Sequence, residues 1–303
     1  MVGSLGPHGR LKFLSAAAVS MQEAADRLAK AIIGPEVLTG LPRRISIVAD
    51  GALQSLPFGL LPAEEGRPLA SAHEVIYLPS ISTLKWLRRS AHRREREPSL
   101  ALLAAPRSDD SLPPSPYSRT EAESIAALLP KDRVWLAENA DASRASALAA
   151  DWGHFTIVHF ATHAIVNVNR PEISGIVLSS RGQDGQSEDG MLRMNDINNL
   201  DMPVDLVVLS GCETAAGRGM GEEGVFSLSR AFFYAGAEQV LAGLWPVDDR
   251  AKAALMPEFY RAMLVDHLPA ASALYIAQQR LARDSRWASP YYWAGFVLQG
   301  GWN

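Results

Sequence analysis

Short runs of aliphatic and β-branched residues punctuate the chain at 44–48, 74–78, 100–103, 134–136, 156–160, 175–178, 205–209, 239–242 and 292–298. Most are apolar at consecutive positions, the pattern of strands covered on both faces rather than wetted on one. Between them, apolar residues recur at helical spacing. Leu14, Ala18, Met21, Ala25, Leu28 and Ile32 draw such a stripe along 14–33, and 82–89, 120–129, 142–150, 222–235, 249–265 and 270–283 read likewise. Thr120 with Glu123 three residues on fits a capping box, and Gly236 a helix stop. Strands alternating with helices predict an α/β domain with a mainly parallel sheet and helices on both faces.

Polar stretches divide the pattern. Residues 106–118 (PRSDDSLPPSPYS) are rich in Pro and Ser, and 180–190 (SRGQDGQSEDG) reads as a flexible excursion or hairpin. A basic linker at 88–99 holds five arginines between Arg88 and Arg96, broken by Glu95 and ended by Pro98. Such a run is a solvated linker or, alternatively, a docking or processing site. The division that follows is a helical segment over 1–42 and one domain over 43–303. Within that domain, an N-terminal lobe covers about 43–107 and a lobe holding the chemistry about 119–303.

Composition narrows the function classes. Of 303 residues, 48% are hydrophobic and 20% charged, an ordinary globular balance. A formal net charge of −4 provides no broad positive field for nucleic acid or an anionic membrane, so neither is an expected partner. The apolar stretch Phe13–Val19 is too short to span a bilayer and is not followed by a secretory cleavage site. Cys212 is the only cysteine, so no intramolecular disulfide forms, which fits a reducing cytoplasm. One Cys among scattered His gives no zinc spacing, and no metal or cofactor is expected. The glycines of GRGMGEEG at 217–224 precede a helix as an anion site would, but two glutamates and the lack of a P-loop lysine favour a mobile loop. No Gly-x-Ser-x-Gly elbow supports a generic α/β hydrolase.

Three predicted strands lead into chemistry. The run at 157–161 ends in Thr162-His163, that at 205–209 in Ser210-Gly211-Cys212, and that at 240–244 in Trp245-Pro246-Val247-Asp248-Asp249. In open parallel sheets ligands sit beyond the carboxyl ends of strands, where these residues would converge. A cysteine attacks as thiolate, and a nearby His lowers its pKa or accepts its proton. Gly211 would permit a tight strand-to-helix turn presenting the sulfur. The backbone N–H of Cys212, with that of Ala164, would hold a developing oxyanion. Each residue also has an inert reading: Cys212 as a small buried hydrophobe, His163 as a hydrogen-bonded structural group. His159, in mid-strand, is a second candidate for the catalytic His, with packing inside the sheet as its alternative. Asp249 is either a helix cap or, with Asp248, the lining of a pocket for a basic side chain. Glu213 would raise the thiol pKa and is expected to point away. Asp189, before Gly190, reads as a turn residue.

An ordered series of motifs resembles the CHAT family of caspase-like domains: HFATHA at 159–164, DGMLRMNDI at 189–197, DLVVLSGCETAAG at 205–217, GEEGVFSLSRAFFYAGAEQVLAGLWPVDD at 221–249 and PYYWAGFVLQG at 290–300. ISIVADGALQSLPFGLLP at 45–62 and VIYLPSISTL at 75–84 extend the likeness to about 43–300. The resemblance implies a caspase-like three-layer sandwich, His163 as general base, Cys212 as nucleophile, and cysteine endopeptidase activity on a protein substrate. The 49-residue separation of His163 and Cys212 is close to the spacing of about 50 known for caspases. LWPVDD is similar to LWDVTD of separase, a relative that cleaves after arginine. The family more often has alanine at Gly211, a departure that reads as mild. Members often accompany tetratricopeptide repeats, so a regulatory partner bearing such repeats is expected, and bacterial members act in defence systems. The chain is then a stand-alone protease or a catalytic fragment; the rival reading is a non-catalytic caspase-fold interaction module.

Overall fold

The computed structural model describes residues 21–33, 40–63, 66–82, 96–105, 115–167, 173–182, 186–214 and 224–302. The expected helix at 82–89, most of the basic linker, residues 106–114 and the glycine-rich stretch at 217–223 lie outside them. The strands are β1 (Arg44–Ile47), β2 (Glu74–Tyr77), β3 (Leu100–Ala104), β4 (Val134–Glu138), β5 (Ile157–Val166), β6 (Gly175–Val177), β7 (Met191–Arg193), β8 (Leu206–Thr214), β9 (Gln239–Gly243) and β10 (Phe296–Gly300). The helices are α1 (Met21–Ile32), α2 (Ser118–Ala126), α3 (Arg144–Ala149), α4 (Met194–Asn198), α5 (Gly224–Ala235), α6 (Asp249–Leu264) and α7 (Ala270–Arg283).

The main sheet runs in the order β1-β2-β10-β9-β8-β5-β3-β4. Neighbours pair in parallel except at β9–β10, which is antiparallel. Strands from the early and late parts of the chain therefore share one sheet. β3, inside the stretch assigned above to an N-terminal lobe, pairs with β4 and β5 and belongs with the later strands.

Consecutive apolar residues in the strands β3, β5, β8 and β9 serve two cores. Leu100 and Leu102 pack with Ile157, Val208 and the inner faces of α2, α6 and α7. Ala101 and Leu103 face the other way, with Val158, Phe160, Val207 and α5 residues Leu228 and Phe232. A strand whose two pleat faces are both dry must be apolar at every position, and these are. The result is three layers: helices, sheet, helices.

Helix boundaries follow local chemistry. Gly236, at φ +115°, ends α5 in a conformation that costs a glycine little. The expected capping box at Thr120 does not form: α2 starts earlier, at Ser118, and Glu123 pairs with Arg119 instead. Ser115 and the Tyr117 backbone are tied to Asp249 of α6, which fixes the earlier entry.

Candidate active site

β5 and β8 lie side by side near the middle of the sheet. The sequence runs predict strands stopping near Phe160 and Leu209, with His163 and Cys212 in the turns beyond. Instead both strands continue, to Val166 and Thr214, and carry the two residues within them. The register holds to Phe160↔Leu209 and resumes at His163↔Gly211. Ala161 and Thr162 thus stand opposite Ser210 alone, a β-bulge of the kind that gathers beside functional sites. Thr162 Oγ1 donates to the Val177 carbonyl of β6, and β6 pairs with β5 at Ala164↔Ile176. The bulge is thereby pinned. His163, which is buried, faces Gly211 across the ladder, and Ala164 faces Cys212. His163 and Cys212 are one rung apart on neighbouring strands.

Gly211 has a role different from the tight turn expected. It lies inside β8, and a Cβ built on it would meet the Thr162 carbonyl oxygen at 2.2 Å. Close approach of two backbones, not a turn, excludes a side chain. Alanine, read from the sequence as a mild exchange, should instead cost about 1–3 kcal/mol as overpacking and displace the bulge. A Gly211→Ala protein with an unchanged melting temperature would contradict this.

His159 is not beside Cys212's rung. It is fully buried on the α2–α6 side of the sheet, with Nδ1 3.1 Å from the Tyr260 hydroxyl of α6 and Nε2 3.0 Å from Glu121 Oε1 of α2. The second contact has ion-pair distance but not the alignment of a hydrogen bond, since neither Nε2 nor Oε1 has an aligned partner. The short distance matters more in a site closed to water. Burial, then the Glu121 charge, pushes the Tyr260 hydroxyl well above its ordinary pKa, so it stays protonated.

The acidic pair after β9 divides its roles. Asp248, rather than Asp249, is the N-cap of α6, accepting from the Arg250 and Ala251 N–H groups at 2.9 and 3.2 Å. Asp249 accepts from Ser115 Oγ at 2.7 Å and pairs with Lys252 Nζ at 2.7 Å. Burial alone would raise its pKa, but the Lys252 charge, with hydrogen bonds from Lys252, Ser115 and the Tyr117 N–H, outweighs it and holds the carboxyl below the ordinary range. Arg250 Nε donates to the Tyr117 hydroxyl at 2.9 Å, completing a clasp between α6 and the start of α2.

The DGMLRMNDI stretch builds the support for β5. Asp189 accepts from Arg193 and from the Met191 N–H, and Asp196 is held by both arms of Arg144, at 3.0 and 2.7 Å. The Arg193 hydrogen bond holds the Asp189 carboxyl below its usual range, and that from Arg144 does the same for Asp196. A carboxyl with a depressed folded pKa stabilises the fold above its unfolded value, and that contribution is lost as pH falls through the folded value. The urea midpoint should therefore decline as pH is lowered below about 4. Asp196→Asn should flatten that decline; an identical profile in both proteins would remove Asp196 from the account. Among the described residues, no group of three or more His, Cys, Asp or Glu could hold a metal ion, and no helix is long and apolar enough to cross a membrane.

A model of the CHAT domain matches residues 22–301. The chain belongs to the CHAT domain family. Tetratricopeptide repeat protein 28 of Homo sapiens is 28% identical to this CHAT chain over 304 residues, 86% of the chain and 12% of the relative. Its Mus musculus counterpart matches to the same extent. The CHAT chain thus corresponds to a small part of these curated relatives. Among solved structures, the Saccharomyces cerevisiae separase–securin complex matches with a TM-score of 0.51 at 15% identity, over 82% of this chain and 14% of that one. At this identity the likeness concerns the fold, and the CHAT domain here is a caspase-like three-layer sandwich.

Proposed function

We propose that the chain is a cysteine endopeptidase acting on a protein substrate. Cys212 attacks the scissile carbonyl, and His163 takes the thiol proton and passes it to the leaving amine. The Cys212 and Ala164 backbone N–H groups hold the oxyanion. One observation carries the reading: the bulged β5–β8 ladder sets His163 opposite Gly211, the neighbour of Cys212. Adjacent rungs of a regular ladder face opposite sides of a sheet, so the bulge and the strand ends beyond it are where the pleat must relax to bring imidazole and thiol together. That requirement agrees with control by a partner or sensor, and the tetratricopeptide repeat protein among the relatives makes a repeat-bearing partner the first to test. A proteome-wide comparison of new N-termini made by the chain and by Cys212→Ala tests the reading. New termini present only with Cys212 support it; none, in the presence of candidate partners, would favour the second reading. That reading, a non-catalytic interaction module, draws on the same relatives, whose name describes repeats rather than proteolysis.

Asp249 is read as the clasp and not as a pocket for a basic side chain, because a substrate cation would have to displace Lys252 from it. Asp249→Asn should cost about 1–2 kcal/mol, discounted for partial exposure, and leave residue preference unchanged. A preference for Arg or Lys before the cut, abolished in Asp249→Asn without a change in melting temperature, would restore the pocket.

A further inference from the structure

β5 changes its neighbour at the site. On one side it pairs with β8; on the other, the ladder with β3 ends at Ala104↔Ala161 and the ladder with β6 begins at Ala164↔Ile176. Thr162 and His163 fall between those two ladders, and the bulge against β8 falls at the same place. A strand that lacks regular rungs on one side and carries an extra residue on the other has little to fix where its next side chain leaves the backbone. Thr162 supplies a bond at that point: its buried hydroxyl donates to the Val177 carbonyl. Branching at Cβ restricts χ1 of a threonine, so the hydroxyl has little rotational freedom to lose on forming the bond.

Both ends of the bond are held. Val177 pairs with Met191 of β7, the Leu178 N–H donates to the Gly190 carbonyl at 2.9 Å, and the Ser179 N–H to the Ala142 carbonyl at 2.8 Å. A Cβ at Gly190 would meet the Leu178 and Ser179 carbonyl oxygens at 2.6 and 2.7 Å, so the backbones are in direct contact behind the acceptor. At the other end, a Cβ at Gly211 would meet the Thr162 carbonyl oxygen at 2.2 Å and the His163 nitrogen at 3.3 Å. The peptide between Thr162 and His163 is thus pressed against β8 on one side and tied through the Thr162 hydroxyl to β6 on the other. That peptide leads directly into the His163 Cα, and so sets where the imidazole starts.

We propose that Thr162 is a positioning residue, whose hydroxyl bond to Val177 fixes the Thr162–His163 peptide and so directs the His163 imidazole towards Cys212. This rests on the peptidase reading of Cys212. The strand ends beyond the bulge then relax about a fixed point. The test is a double-mutant cycle read by alkylation of the full chain with iodoacetamide, in which the Cys212 thiolate displaces iodide from the methylene carbon and leaves a thioether. Thr162→Val removes the hydroxyl and keeps the branched shape. Near pH 7 it should slow labelling roughly tenfold or more, as misplacement of a catalytic group does. In a His163→Asn background the same exchange should change the rate little, because the hydroxyl acts through the imidazole. Thr162→Ser, which keeps the hydroxyl, should label close to the wild-type rate. If Thr162→Val does not fold, Thr162→Ala, which puts no methyl in place of the hydroxyl, carries the same comparison. Equal slowing in both backgrounds would make the bond a support of the fold alone and overturn the proposal, as would an unchanged or faster rate in Thr162→Val. A His163→Asn chain labelled as fast as the wild type would overturn the peptidase reading and the positioning role with it.

Discussion

His163→Ala should slow cleavage of any substrate identified for this chain by about 10²–10⁴-fold, the usual contribution of a positioned general base. The imidazole is buried on β5, one rung from Cys212. Because a buried histidine also packs, the melting temperature of the variant must be measured alongside. His163→Asn provides the control: it retains a polar planar group and a hydrogen-bonding position but cannot accept a proton at neutral pH. Both variants should be folded and slow. A His163→Asn protein that cleaves at the wild-type rate would remove His163 from the mechanism and return attention to the interaction-module reading.

A comparably large effect, on stability rather than rate, is expected four residues earlier on the same strand. Glu121, His159 and Tyr260 meet inside an apolar core that includes Ala122, Ile125 and Phe259. A protonated Tyr260 hydroxyl donating to Nδ1 leaves the Nε2 proton facing Glu121, the arrangement that serves the most groups. Removing one member of a buried polar pair costs about 1–3 kcal/mol because its partner is left uncompensated, whereas replacing both with apolar groups is near neutral. Glu121→Leu and His159→Leu should each lower the unfolding free energy by about that amount, and the double variant should be more stable than either single one. Tyr260→Phe should cost about 1 kcal/mol. Strictly additive losses in urea titrations would mean that Glu121 and His159 do not act as a pair.

The sequence made the layers legible and left the registry hidden. Runs such as 100–103 and 206–209 are apolar at every position because each strand feeds two cores, and that physical demand is written in consecutive residues. The antiparallel β9–β10 joint leaves no such mark, since pairing direction does not change which residues are buried. Thr162, His163, Ser210 and Gly211 read as strand ends because they are polar or small. They remain in the ladder because β6 and the bulge supply partners that only the tertiary structure brings. The sequence pattern puts the cap of the last long helical run at Asp249, and the geometry of helix entry moves it to Asp248. The aromatic run near the C-terminus predicts a strand from Tyr292, whereas Pro290–Tyr292 form a 3-10 turn and pairing starts at Phe296.

In the proposed mechanism His163 activates Cys212. Since Cys212 is the chain's single cysteine, its alkylation by iodoacetamide reports on this site without ambiguity. The full chain, with any activating partner present, should be labelled near pH 7 faster than a model thiol of pKa about 8.5, and His163→Asn should slow the reaction. Equal rates for the chain and its folded His163→Asn variant, both no faster than the model thiol, would contradict that mechanism.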